Sequence, residues 1–237
     1  MRIAIHQPNF IPWFPFFYKM AMVDYFIIMD LVQFEKNGYQ NRFRHKGKWI
    51  TKPVEGKKKP IIEKCYADGS SLLKVNMAWI YAIKETLGIQ AEVTFSRNSS
   101  SRNFLKSFLG SPTSRILDLL HDIQDRDRWW RGEKLEKRRI TYVTNPLSKD
   151  KYLDEKYLES FGINIDYCKV PKNLHKSIFE MFEEYGIEGT KKQLPKYKIE
   201  FYKKIQDKEE VFQKLNSIAL ECGTESKEYS EAKQWKI

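Results

Sequence analysis

The chain has 237 residues, 41% hydrophobic and 14% aromatic, which suits one sizeable core and argues against a disordered polymer. No apolar run approaches the roughly 20 residues of a membrane span, so a spanning helix is not expected. Lys and Arg number 42 against 31 Asp and Glu, and the resulting +11 favours anionic partners: nucleic acid, an anionic surface or a phosphate-bearing small molecule.

Met1 leads straight into apolar sequence without a basic, apolar and small-residue leader. Cys65, Cys168 and Cys222 lie far apart without Cys-x-x-Cys spacing. Both features fit reduced thiols in a cytoplasmic protein and give no zinc site.

Ile3-Ala4-Ile5 is a short apolar run of the kind found in a buried parallel strand. His6-Gln7-Pro8 follows at once, and Pro8, Pro12 and Pro15 force an ordered loop. The loop past a strand's carboxyl end is where open α/β sheets bind ligands. Residues Trp13 to Val23 fit a helix, and Tyr25 to Met29 a second strand ending at Asp30. Such a βαβ unit puts Asp30 on the same sheet edge as His6.

After Asp30 come Gln33, Glu35, Lys36, Gln40, Asn41, Arg42 and Arg44, separated by Val32, Phe34, Tyr39 and Phe43. Polar heads alternating with apolar anchors read as a site lining. Each also has a plainer meaning: His6 as a hydrogen-bonded structural residue, Asp30 as a cap, the arginines as a solvated face.

A short strand is expected at Lys48–Val54 and another at Ile61–Cys65. The Lys57 to Lys59 run suits a solvated loop or a phosphate contact. From Leu72 to Leu87 the apolar residues recur at helical spacing, with Ser70 or Ser71 as N-cap and Gly88 as the stop. Ala91–Phe95 reads as a strand, and Arg97 and Arg102 in the polar tract that follows suit either a connection or an anion-binding loop.

Ser111 to Ser114 open a helix carrying Ile116, Leu117, Leu119, Leu120 and Ile123, with Arg115 and Asp118 on a common face. At its end Arg128, Trp129, Trp130 and Arg131 are candidates to stack nucleic-acid bases and grip phosphates, or to pack on the body with the arginines in water. Ile140 to Thr144 is a strand whose carboxyl end supplies Asn145, Ser148 and Lys149. A helix through Phe161 and a strand at Ile163–Cys168 complete a second βαβ unit. Ser177 to Tyr185 is a short amphipathic helix stopped by Gly186, and Tyr197 to Leu220 reads as a solvated, mixed-charge helix.

Several of these segments, in order, resemble the WbqC-like family. They are Ile3 to Trp13, Phe16-Phe17-Tyr18-Lys19, Asp24 to Asp30, Val32 to Lys36 with Gln40-Asn41-Arg42, the Arg115–Asp118 helix, the Lys149 to Leu153 turn with Phe161-Gly162-Ile163, and the Ser177–Gly186 helix. The resemblance covers about residues 1–195 and departs at Leu31, where the family usually carries a second acid. It departs also at Asn145 to Ser148, where the family has a glycine-rich loop.

The resemblance implies an α/β fold and an association with surface-polysaccharide biosynthesis, with transfer to or from nucleotide-linked sugars as the usual expectation. It also implies kinship with bacteriophage proteins that join an amino acid to an activated thymine derivative in DNA.

The expectation is therefore an α/β protein with a partly parallel sheet, flanking helices and a helical C-terminal extension: a catalytic domain at 1–195 and an extension at 196–237. The expected function is that of a transferase joining an amine or hydroxyl to an activated, phosphate-bearing substrate. His6 is the expected general base and Asp30 its partner. Arg42, Arg44 and Lys149 are expected to hold phosphate or carboxylate, and Gln7, Trp13, Gln33, Glu35, Lys36, Asn41 and Asn145 to complete the substrate contacts. No cofactor motif is present, and a divalent ion at Asp30 stays open. DNA modification is the alternative, and a non-catalytic nucleic-acid-binding module, which leaves the strand-end cluster without a purpose, is the third.

Overall fold

A computed structural model of the chain describes residues 1–56, 59–98, 111–131 and 138–197, without the side chains of 128–131. Lys57, Lys58, Arg102 and residues 198–237, which hold Cys222 and all but the first residues of the expected Tyr197–Leu220 helix and C-terminal extension, lie outside the described residues.

The strands are β1 (Arg2–His6), β2 (Tyr25–Ile28), β5 (Glu92–Phe95), β6 (Thr141–Thr144) and β7 (Asn164–Tyr167), joined in one sheet in the order β5-β2-β1-β6-β7. Every neighbouring pair is parallel. The sheet is thus more regularly parallel than the two βαβ units alone required. β3 (Arg42–His45) and β4 (Lys48–Thr51) form a separate antiparallel ribbon.

The sheet is buried on both faces because its strands alternate into two clusters. Ala4, Phe26, Ile28 and Val143 pack on one face with Phe14, Phe17 and Met20 of α1 (Phe14–Met20), Leu73 and Ile80 of α2 (Leu72–Thr86), and Ile178 and Met181 of α6 (Ile178–Lys192). Ile3, Ile5, Ile27 and Tyr142 pack on the other with Leu117 and Leu120 of α3 (Pro112–Arg131) and Leu158 of α5 (Glu155–Ser160). The short α4 (Ser148–Lys151) follows β6.

From β1 the chain builds outward through β2 to β5, then returns to β6 on the other side of β1 and continues to β7. The reversal falls between β1 and β6. In an open, doubly wound sheet the crevice beyond the carboxyl ends of the strands at that reversal is the ordinary ligand position.

Ser71 caps α2 by accepting a hydrogen bond from Lys74 N, and Gly88 follows at φ +67°. Ser177 and Glu180 form a capping box at the start of α6. Three details differ from the sequence expectations. Ile61–Glu63 is one 3-10 turn after Pro60, because Ile61 must tuck into the core while its neighbours bridge to the loop after β2. The single helix expected between β6 and β7 is two, α4 and α5, with Leu153 buried between them. Gly186 kinks α6 at φ +65° rather than ending it, since the helix resumes as far as Lys192.

Candidate functional site

His6 and Gln7 stand at the carboxyl end of β1, at the reversal of the sheet. The β1–β6 register pairs Ala4 with Val143, and carrying it on by two residues brings His6 level with Asn145. The strand alternation turns the His6 ring to the face of α1, where it meets Phe16 edge-on at 4.8 Å and lies over Phe26 at 6.4 Å. The first strand, the tight loop and the apolar helix after it therefore place the imidazole in an aromatic setting.

That setting decides its chemistry. Burial first, and the charge of Lys19 second, push the His6 pKa down to about 3. The near-neutral titration expected of His6 is therefore corrected: the ring is neutral through the physiological range. Its Nδ1 lies 2.9 Å from Gln7 O, a carbonyl that can only accept, so Nδ1 carries the hydrogen and Nε2 presents a lone pair.

Gln7 is oriented by a chain of hydrogen bonds that begins in the backbone. Glu35 N donates to Gln40 Oε1 at 2.7 Å, which fixes the Gln40 amide, and Gln40 Nε2 then donates to Gln7 Oε1 at 2.8 Å. Gln7 is partly exposed, and its Nε2 hydrogens have no partner among the described residues. Gln7 is a donor presented at the strand edge.

The loop that holds Gln40 is itself clamped from below. Asn76, fully buried in α2, donates to Pro8 O at 2.8 Å and Gln40 O at 2.7 Å and accepts from Tyr66 OH at 2.6 Å. Asn76 was missed by the sequence reading because the helical stripe around it is apolar. A polar residue at a core position of that stripe was the available signal.

Lys19 was quoted in the resemblance but given no role. It is 3% exposed on α1, with Nζ donating to Ile5 O at 3.2 Å and lying 5.8 Å from the Phe26 centroid. Burial pushes its pKa down to about 8, an effect partly opposed by Cys168. Cys168 is itself buried at the end of β7, and burial pushes its thiol up to about 11. Lys19 is therefore the buried group near β1 whose charge changes closest to neutral pH.

The other expected residues divide. Asp30 is wholly buried, but its carboxylate accepts from Ser96 Oγ at 2.7 Å and Arg97 N at 3.2 Å and faces Arg97 Nη1 at 3.1 Å. No hydrogen bond or ion pair joins it to His6 among the described residues; its carboxylate holds Arg97 at the end of β5. Asn41 Nδ2 is occupied by Lys52 O at 2.9 Å, and the pair ties the base of the ribbon.

Arg42 reaches the Asn37 carbonyl and covers the Trp49 ring, while Arg44 is exposed on the ribbon. Gln33, Glu35 and Lys36 have exposed side chains on the loop between β2 and β3. Trp13, half-buried, stacks on Tyr39 at 6.1 Å. Asn145 is exposed beyond β6, and Lys149 pairs with Glu155 at 3.0 Å instead of standing free. Arg128, Trp129, Trp130 and Arg131 fall in the last turn of α3, and their side chains lie outside the described residues.

Thus the fold gathers His6, Gln7 and Asn145 at one sheet edge and leaves Arg42 and Arg44 on the ribbon. Among the described residues no cluster of three or more His, Cys, Asp or Glu could hold a metal ion. A cavity of about 370 Å³, lined by His121, Gln124, Arg138 and Phe161 among others, opens beside Ile140 and Ile163, before β6 and β7 begin. It is at the opposite edge of the sheet from His6.

Residues 7–63 match the model of the WbqC-like protein family. The matched stretch runs from Gln7 through α1, β2, the Gln40 loop and the ribbon. The chain is also similar to an uncharacterized protein of Mycobacterium tuberculosis, at 45% identity over 60 residues, which is 24% of this chain and 26% of that relative. No solved structure matches the chain.

Proposed function

We propose that this WbqC-like chain is a transferase that joins an amine or hydroxyl nucleophile to an activated, phosphate-bearing substrate, with a nucleotide-linked sugar as the substrate class. The observation that carries the reading is the position of His6 and the oriented Gln7 amide at the reversal of the parallel sheet. The family match supports it, since it takes in Gln7 and the Gln40 loop that orients Gln7.

In the proposed step the nucleophile's lone pair attacks the activated carbon, the bond to the phosphate oxygen breaks, and the departing phosphate keeps that electron pair. Gln7 donates hydrogen bonds to the substrate. His6 Nε2 accepts the nucleophile's N–H or O–H. With a pKa of about 3 it is too weak to ionise a hydroxyl beforehand. From a hydroxyl it takes the proton late, when bond formation has made the attacking oxygen a strongly acidic oxonium; an amine's product leaves as an ammonium that loses its proton to solvent. Arg97, held beyond β5 by Asp30 at the end of β2, is the cation assigned to receive negative charge.

The test is release of free nucleotide from a panel of nucleotide-linked sugars mixed with amine and hydroxyl acceptors. Turnover should fall at least about a hundredfold in His6→Ala, in line with loss of a proton-transfer group. A His6→Ala protein that is folded and fully active refutes the role.

A second reading, with a nucleic-acid base as the acceptor, is favoured by the +11 charge and by exposed Trp49 beside two arginines.

A further inference from the structure

The outer face of the β3–β4 ribbon carries an exposed aromatic run that the proposed chemistry does not use. Trp13 and Tyr39 lie nearly parallel, 16° apart in plane, and Tyr39 continues to Trp49 at 5.5 Å. Tyr39 is 44% and Trp49 45% exposed. Large rings left at a surface in contact with one another are unusual unless something covers them.

The ribbon register explains why charge gathers beside them. Arg42 pairs with Thr51 and Arg44 with Trp49, and directly opposed residues share a face. The alternate residues face the body of the protein: Phe43 is buried and His45 meets Ser177 Oγ at 3.0 Å. Arg44 and Trp49 therefore point outward together, and Arg42, half-buried on the same face, sets its guanidinium 4.1 Å from the Trp49 ring centroid. On the same side of the chain Glu183 is paired with Lys46 and Asp68 with Lys52, while Glu35 is exposed in the loop before the ribbon. Arg42 and Arg44 have no acidic partner among the described residues.

We infer that this face binds single-stranded nucleic acid, with unpaired bases stacking on Trp49 and Tyr39 and backbone phosphates meeting Arg42 and Arg44. The surface is open, so it suits a polymer lying across it more than a small molecule enclosed by walls. Aromatic steps beside cations are the pattern by which proteins hold single strands without reading sequence. In a duplex the base faces are covered by their neighbours, which limits what the rings can reach. The inference does not depend on the transfer reaction, because its readout is binding alone.

The test is titration of the full-length protein with a fluorescent 20-nucleotide poly-dT strand across a salt series. Trp49→Ala, Trp49→Phe, Arg44→Ala and a Trp129→Ala/Trp130→Ala double variant are run beside the wild type. Trp49→Ala should weaken binding by about tenfold and Trp49→Phe by much less. Arg44→Ala should lower the steepness of the log–log salt dependence by about 0.7. The Trp129/Trp130 variant should bind as wild type does, and a matching duplex should bind more weakly.

Unchanged binding in Trp49→Ala overturns the inference. So does loss confined to Arg44→Ala, which would mean charge without stacking, or a free nucleotide that binds as tightly as the strand. Circular dichroism of each variant separates lost binding from lost folding; Trp49 is exposed on a two-stranded ribbon, so its replacement leaves the core intact.

Discussion

Gln40 Nε2 donates to Gln7 Oε1 at 2.8 Å, and this bond fastens the loop after the second strand to the carboxyl end of the first. Because the Glu35 amide fixes the orientation of Gln40, the free hydrogens of Gln7 are aimed by a residue well away in sequence. Gln40→Ala should raise KM for the proposed phosphate-bearing substrate about tenfold, the scale of one hydrogen bond of about 1.5 kcal/mol, with a smaller change in kcat. Steady-state kinetics checks the split. Equal falls in kcat and kcat/KM would place Gln40 in the chemical step instead of in positioning.

Asn76 ties both site loops to α2, so its removal leaves the Pro8 and Gln40 carbonyls and the Tyr66 hydroxyl short of partners. Asn76→Leu should destabilise the fold by about 2–4 kcal/mol. Urea denaturation measures it. A cost below about 0.5 kcal/mol would mean that the loops hold themselves.

Burial of His6 and Lys19 predicts two rises of stability with pH. The unfolded chain protonates His6 near pH 6.5, whereas the folded chain does so only near 3. The unfolded state therefore binds more protons between these values, and stability falls as pH drops through that window, by at most about 5 kcal/mol for this partly exposed ring. Lys19 is charged below about 8 when folded and below 10.5 when unfolded, so stability rises from about pH 8 to 10.5, by about 3 kcal/mol. Lys19→Met should abolish the alkaline rise and His6→Asn should flatten the acid limb. Denaturant midpoints across pH 3–11 test both, and unaltered limbs would contradict the burial argument.

Asp30 and Arg97 are predicted to act as a unit. A double-mutant cycle with Asp30→Asn and Arg97→Gln should return a coupling of about 1–3 kcal/mol in stability. Additive losses would separate them and free Asp30 for another role.

The parallel sheet was legible because its strands are apolar runs ended by turn residues, and periodicity reports burial on both faces. Ile3 to Ile5 and Tyr25 to Ile28 announce themselves in that way. The edge holding His6 and Gln7 followed from position alone. The partners were not legible: nothing in the spacing says that Asp30 turns to Ser96 and Arg97, or that Asn76 rises from a helix to meet Gln40. Those are contacts between residues far apart in sequence, fixed only by packing. The pKa of His6 was misjudged for the same reason, since Phe16, Phe26 and Lys19 meet it only in the folded chain.

The most direct test of the site is calorimetric titration of a panel of nucleotide-linked sugars into wild type, Gln7→Ala and Phe161→Ala, the last altering the cavity at the opposite edge of the sheet. The account predicts saturable binding to the wild type, weakened at least about tenfold in Gln7→Ala by loss of its hydrogen bonds to substrate, and unchanged in Phe161→Ala. Binding that survives Gln7→Ala but is lost in Phe161→Ala would contradict it and move the site to that cavity.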